Sequence, residues 1–247
     1  MYSSQCSGYD CGSGSLYSGN SGYFLNNSGY SNQSPSYSGI SSNYSKSMYD
    51  SQSAEFSPSF FVDESSEFVG VIPERDEIIG HAKTVFSSLT NQKFPDNISI
   101  NLCDNENFSR LLPFGASENS CVMGFAVNRK GFGISKIFVR NNSLPQLFVT
   151  LGHEIGHVIT RQLSNVKDEE AKAFSFARAW VVKTKELNIA GLDKFLKPRP
   201  ALNGVHNVAF DFVEREIAEG ISPLRIYVDV ASGRKSVGNL DSIVFGG

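Results

Sequence analysis

The stretch His-Glu-Ile-Gly-His at residues 153–157 places two histidines four positions apart, with a glutamate directly after the first. On a helix, residues four apart project from the same face one turn apart, so both imidazoles can bind one zinc ion. Glu154 is turned by about 100° from His153, toward the coordination position that water fills in a catalytic site. The pattern therefore predicts zinc bound by His153 and His157, with Glu154 as general base.

A catalytic zinc site needs a third protein ligand, and the acidic residues Glu169 and Glu170 follow the motif. Acidic residues also occur in the first turn of helices because they stabilise the helix dipole, so residue type alone does not assign a ligand. If two antiparallel helices meet at a turn near residues 164–167, His157 lies roughly 9 Å and Glu170 roughly 5 Å from that turn. The side chains of His157 and Glu170 then lie at similar distances from the turn along the two helix axes. We predict Glu170, next to the small Ala171, as the third ligand, with Glu169 as the competing assignment.

The residues around the motif predict the two helices that would carry these groups. Pro145 is suited to start a helix that runs to about Leu163, and a second helix is predicted from Asp168 to about Leu187. Gly152 and Gly156 each cost about 1 kcal/mol relative to alanine in a helix interior. They indicate a neighbour packed closely against the backbone of the motif helix.

Other periodic patterns predict further elements on both sides of this helix pair. Alternation of apolar and polar residues indicates strands, and apolar residues three and four apart indicate helices. The predicted elements are a helix over 73–89, a strand over 98–102, a hairpin of strands over 121–127 and 134–139, a helix over 204–219 and a strand over 224–230. Strands followed by helices predict an α+β domain.

The first 58 residues differ in composition from the rest of the chain. They repeat Ser-Gly and Ser-Gly-Tyr units, and eight of the nine tyrosines lie within residues 1–50. A segment with so few aliphatic residues cannot bury a core. We predict a disordered tail over 1–58 and one domain over 59–247, with its core in about 73–190 and a C-terminal subregion in 191–247. Self-association or partner binding by the tail is the alternative to a simple flexible segment.

Charge and cysteine content narrow the range of partners and locations. A net charge of −3 at pH 7 gives no electrostatic reason to expect nucleic acid or an anionic membrane as a partner. No segment resembles a signal peptide or contains the roughly 20 apolar residues of a membrane span. Cys6, Cys11, Cys103 and Cys121 do not form a dense disulfide framework, and we interpret them as free thiols. These features predict a cytoplasmic location.

The motif and the helix after it resemble a known group of enzymes. Residues 151–157, Leu-Gly-His-Glu-Ile-Gly-His, followed by residues 168–174, Asp-Glu-Glu-Ala-Lys-Ala-Phe, resemble the gluzincin metallopeptidases. They look most like the compact minigluzincins and the ImmA/IrrE-type proteases, which carry an E-x-x-x-F pattern after HExxH. The resemblance covers roughly residues 95–185. The twelve residues between His157 and Glu170 are a shorter gap than in the large gluzincins.

That resemblance implies a zincin-like domain with a small mixed sheet. It implies His153, His157 and Glu170 as zinc ligands and Glu154 as general base. It also implies that an edge strand, expected over residues 134–140, lines the cleft and pairs with an extended peptide.

The large gluzincins also carry a downstream histidine or tyrosine that stabilises the transition state, and this sequence has no clear counterpart. His206 and Tyr227 are the candidates. Neither lies in a recognisable motif, so a helix-surface histidine and a core or strand tyrosine are the favoured interpretations.

The sequence as a whole predicts a zinc-dependent endopeptidase that acts on extended segments of protein, with Zn²⁺ as cofactor. Two alternatives stay open: a regulatory protease specific for one protein partner, and a metal-stabilised, non-catalytic binding or scaffold module. The presence of Glu154 argues against the scaffold, because metal binding alone has no use for that carboxylate.

Overall fold

The structure, a computed structural model, describes residues 55–60, 73–112, 122–141, 143–197 and 204–240, and for residues 55–60 it describes the backbone. These residues form a mixture of helices and one small sheet, which confirms the α+β prediction. In chain order the strands and α-helices are β1 (Glu55–Phe60), α1 (Arg75–Thr90), β2 (Ile98–Cys103), α2 (Asn105–Leu111), β3 (Val122–Asn128), β4 (Ser135–Arg140), α3 (Leu144–Val158), α4 (Val166–Glu186), α5 (Val205–Ala218) and α6 (Pro223–Ala231), and short 3-10 helices span Ile189–Lys194 and Val237–Leu240. Residues 1–54, most of the predicted tail, lie outside the described residues.

The sheet has the strand order β1-β3-β4-β2. β3 pairs antiparallel with both β1 and β4, whereas β2 pairs parallel with β4, so the sheet is mixed as predicted. The prediction that residues 134–140 form an edge strand is wrong, because β4 lies between β3 and β2. Its apolar run Ile137-Phe138-Val139 is buried without alternation, which is typical of an interior strand.

β1 begins within the segment that the sequence assigned to the tail. Residues 55–58 are paired with β3, in a register that runs from Glu55 opposite Asn128 to Ser59 opposite Gly124. Pro58 is tolerated because β1 is an edge strand. Composition did not indicate this strand, because its pairing uses backbone groups rather than an apolar side-chain pattern.

α4 is the central helix of the domain, and α1, α3, α5 and α6 all pack against it. Its large side chains Phe174, Phe176 and Trp180 are fully buried. Every residue of α3 is buried as well. Apolar residues of the sheet, of these five helices and of the segment after α6 belong to one hydrophobic core.

The motif helix is shorter than predicted. α3 ends at Val158 rather than near Leu163, and the chain turns back through residues 159–165 before α4 begins. The side-chain amide of Asn128 donates hydrogen bonds to the carbonyl oxygens of His157 (2.7 Å) and Thr160 (2.9 Å). These bonds from β3 satisfy carbonyl groups at the helix end, where the helix itself offers no partner.

The prediction of a strand over residues 224–230 is wrong, because this segment forms helix α6. Pro223 occupies the start of the helix, where proline is favoured. Ile226, Tyr227 and Val230 are buried together, at the spacing of one helical face. The β-branched residues suggested a strand, but packing against α4 outweighs that local preference.

Two further features bear on the sequence predictions. Within the described residues, no helix combines the length and apolar character needed to cross a membrane. Cys103 is a buried free thiol, whereas Cys6, Cys11 and Cys121 lie outside the part of the chain that the structure describes.

Candidate metal centre

His153 and His157 lie one turn apart on α3 and direct their rings to the same point. Their Nε2 atoms are 3.1 Å apart, and both side chains are buried. The i,i+4 spacing on a helix produces this arrangement directly.

Glu170 brings a carboxylate to the histidine pair from α4. Its Oε2 atom lies 3.3 Å from Nε2 of His153, and its Oε1 atom lies 3.9 Å from Nε2 of His157. Two ligand atoms that are each bound to a tetrahedral zinc at 2.0–2.1 Å lie roughly 3.3 Å apart. The three side chains, which offer ligand atoms within 4.8 Å of one another, therefore fit a metal ion of this size.

Two glycines of α3 allow the helices to approach closely enough for this cluster. A Cβ on Gly152 would come within 2.5 Å of Cδ1 of Trp180, and a Cβ on Gly156 within 2.9 Å of Cα of Ala173. Both glycines face α4. The predicted close neighbour is confirmed, and it is the helix that carries Glu170.

Glu169 lies on the opposite side of the His157 ring from the cluster. Its Oε1 atom accepts a hydrogen bond from Nδ1 of His157 at 2.7 Å, which directs Nε2 toward His153 and Glu170. Its Oε2 atom accepts from the backbone N–H of Leu163 at 2.8 Å.

Lys172 completes the surroundings of Glu169. Its Nζ atom lies 2.8 Å from Oε2 of Glu169 and donates to the carbonyl oxygen of Arg161 at 3.1 Å, and its side chain is fully buried. A buried ammonium needs such partners. Sequence reasoning missed Lys172, although its position three residues after Glu169 on a helix is a usual spacing for an ion pair.

Glu154 lies beside the cluster without being part of it. A Cβ on Gly124 of β3 would come within 2.9 Å of Oε1 of Glu154 and 2.5 Å of Cγ2 of Thr150. The backbone of β3 thus passes directly by this buried carboxylate. Sequence reasoning missed Gly124, although a glycine within a strand pattern often marks such a close approach.

His206 and Tyr227, the two candidates for a group that stabilises the transition state, lie in different surroundings. His206, at the start of α5, is buried and its Nε2 atom lies 3.3 Å from Oε2 of Glu170, so the interpretation as a surface histidine is wrong. The hydroxyl of Tyr227 lies 2.8 Å from Oγ1 of Thr160, and its ring packs against Phe176. Tyr227 is a core residue.

Neither a protein-family model, nor a curated protein, nor a solved structure matches this chain. The chain contains a buried group of two imidazoles and one carboxylate that could hold a metal ion. The resemblance to gluzincins rests on the motif residues and on this group.

The charges of the cluster depend on one another. Burial favours the neutral form of Glu170, but the nearby His206, His157 and His153 outweigh it and lower its pKa to about 2. Burial lowers the pKa of His153 to about 4, despite its hydrogen bond to Glu170. Burial also acts to lower the pKa of His157, but the carboxylates of Glu170 and Glu169 outweigh it and raise that pKa. The Glu170 carboxylate is therefore anionic and the His153 imidazole neutral, which is the form in which these side chains bind a metal, whereas the raised pKa of His157 favours a proton that a metal would have to displace.

Proposed function

We propose that this domain is a zincin-like, zinc-dependent endopeptidase of gluzincin type. The observation that carries the proposal is the buried cluster of His153, His157 and Glu170, together with a second buried carboxylate, that of Glu154, which follows His153 on the same helix and acts electrostatically on His157. A site that only binds metal has no need for this fourth group.

The donor set and its spacing suit zinc. Two imidazole nitrogens and one carboxylate oxygen are a usual set of protein ligands for catalytic zinc, with one position left for water. His153, His157 and Glu170 would hold the ion. Bound there, zinc supplies a Lewis acid that polarises a peptide carbonyl and lowers the pKa of water.

The remaining side chains of the site would then transfer a proton, orient a metal ligand and stabilise the transition state. Glu154 accepts the proton of the attacking water and transfers it to the amide nitrogen as the carbon–nitrogen bond breaks. Glu169 holds His157 in the tautomer whose Nε2 faces the metal, a role typical of a carboxylate behind a zinc ligand. His206 donates a hydrogen bond to the oxygen that becomes negative in the transition state.

The test compares Glu154→Gln with the wild type. The substitution keeps the size of the side chain and removes the carboxylate that accepts the proton. We expect both proteins to contain about one zinc per chain by mass spectrometry, and hydrolysis of unfolded casein to fall by about 10²–10⁴-fold in the variant.

Glu219→Gln is the matched control, because Glu219 is exposed after α5, and it should retain full activity. Equal hydrolysis by wild type and Glu154→Gln would remove Glu154 from the mechanism. Bound zinc without hydrolysis of casein or of extended peptides would favour a binding module.

A further inference from the structure

The strand β3 lies beside the proposed general base, because Glu154 packs against the face of the strand at Gly124. β4 pairs with one side of β3, so the other side is the edge to which a further strand can be added. Gly124, within β3, has no room for a Cβ because Glu154 lies against it. An extended peptide binds a sheet by adding a strand to one of its edges. If the proposed peptidase function is correct, on which this inference rests, a substrate that reaches Glu154 would pair with β3.

A segment of the same chain is already paired with this edge. β1 runs antiparallel to β3, and its register places Ser59 opposite Gly124. Cα atoms of β1 and α3 also come within 8 Å of one another, so β1 lies next to the helix that carries the histidines. The position that an extended substrate needs is therefore occupied from within the chain.

β1 has the features of a strand that can be displaced. It is an edge strand of six residues, and Pro58 has no N–H group to contribute to the sheet. Its register with β3 shifts between Ser59 and Phe60. A peptide with a full set of N–H groups and an unbroken register can therefore replace it.

We propose that Glu55–Phe60 is an autoinhibitory strand that occupies the peptide-binding edge of β3 and lowers the activity of the enzyme until it is displaced. A tethered segment competes with an effective concentration in the millimolar range. A free peptide substrate at micromolar concentration is then largely excluded from the edge. Displacement of β1 by substrate or by a partner is the activating step.

The first test weakens β1 in the full-length chain. Pro58 is accepted on an edge strand where its nitrogen faces away from the neighbouring strand, so Ser57 and Ser59 direct their N–H groups toward β3. Ser57→Pro/Ser59→Pro removes both donors. We expect hydrolysis of a micromolar fluorogenic peptide to rise about 10-fold or more, with unchanged zinc content.

Ser51→Pro/Ser53→Pro is the matched control, because it has the same spacing and lies before β1. It should hydrolyse the peptide at the wild-type rate. If Ser57→Pro/Ser59→Pro does not fold, Ser57→Gly/Ser59→Gly weakens the strand without removing its N–H groups and provides the same comparison. If the folded β1 variant and the wild-type protein hydrolyse the peptide at the same zinc-dependent rate, β1 is not inhibitory. The peptidase function would be unaffected by that result.

The second test needs no turnover. In a Glu154→Gln background, a fluorescent synthetic peptide with the sequence of residues 52–62 should bind the Ser57→Pro/Ser59→Pro protein about tenfold more tightly than the protein with intact β1. Equal binding by the two proteins would overturn the proposal. The peptide could bind more tightly to the Ser57→Pro/Ser59→Pro protein while no protein that retains Glu154 hydrolyses any peptide. That result would support the role of the strand and exclude the peptidase function.

Discussion

Glu169 and Glu170 are adjacent in the chain but contact opposite sides of the histidine pair. Successive residues on a helix point about 100° apart, so only one of the two carboxylates can face the Nε2 atoms. Glu170 faces them, whereas Glu169 contacts Nδ1 of His157. Glu170 is thereby suited to bind a metal, and Glu169 is suited to orient the ligand His157.

Substitution of each glutamate should separate these roles. Glu170→Ala, like His153→Ala, is expected to lose zinc because two ligands make an incomplete site. Glu169→Gln should keep zinc at saturation and weaken its affinity by about 10–100-fold. Zinc content and competition with a chelator measure both effects. The opposite pattern would identify Glu169 as the ligand.

His206 lies beside the cluster, with its Nε2 atom 3.3 Å from Oε2 of Glu170, and in the proposed mechanism it acts on the substrate. His206→Phe removes the N–H donor and keeps a ring beside Phe174, so we expect kcat to fall by about 10²–10³-fold with zinc retained. Tyr227→Phe is the control, because it removes a hydroxyl bonded to Thr160 and should leave kcat near the wild-type value. Steady-state kinetics on a fluorogenic peptide distinguish the two, and an unchanged kcat in His206→Phe would exclude this role.

At the scale of elements, the distance between α3 and α4 determines whether the cluster forms. Gly152 and Gly156 leave no room for a methyl group between the helices. The same two helices carry all three potential ligands, so the distance between the helices also sets the distance between the ligands.

Alanine at these glycines should lower stability. Overpacking costs about 1–3 kcal/mol. We expect this loss for Gly152→Ala, which meets the fully buried ring of Trp180, and for Gly156→Ala, which meets the backbone of Ala173. Gly80→Ala in α1 is the control, since no atom lies within 4 Å of its added Cβ, and it should gain up to about 1 kcal/mol. Chemical denaturation measures all three, and equal stabilities would contradict the close packing.

At the scale of the whole molecule, the candidate metal site lies inside the core rather than on its surface. His153, His157 and Glu170 are buried where α3, α4 and the start of α5 meet. A metal that binds only the folded state stabilises it.

Zinc removal should therefore lower the melting temperature. At a free zinc concentration of 100 times Kd, binding contributes about 2.7 kcal/mol, and EDTA should abolish this contribution. His153→Ala should melt at the same temperature with and without EDTA. Differential scanning calorimetry provides the measurement, and a wild-type melting temperature that does not respond to EDTA would argue against a bound metal.

β1 begins at Glu55, four residues before the start of the domain predicted at residue 59. Residues Gln52–Gly247 form one compact unit, so deletion of residues 1–51 should leave the melting temperature and the zinc content unchanged. The longer deletion of residues 1–58 removes most of β1 as well. A large loss of stability on deletion of residues 1–51 would show that this segment contributes to the core.

Local sequence determined the elements that follow from short-range periodicity. The helices around His153 and Glu170, the hairpin of β3 and β4 and the grouping of His153 with His157 depend on spacings within a few turns. The motif alone therefore placed both imidazoles on one face. Helix ends were less well determined. α3 ends at Val158, where the carbonyl oxygen of His157 accepts a hydrogen bond from Asn128, a residue far away in the sequence.

The sequence favoured Glu170 as the third group but left Glu169 open, and the tertiary structure distinguished the two. The rotation of α4 about its axis selects Glu170 over Glu169, and this rotation depends on the packing of Gly152 against Trp180 and of Gly156 against Ala173. The approach of His206 depends on how α5 packs against α4. β1 pairs with β3 through backbone groups that every residue shares, and no local pattern in the sequence indicates such a contact between distant segments.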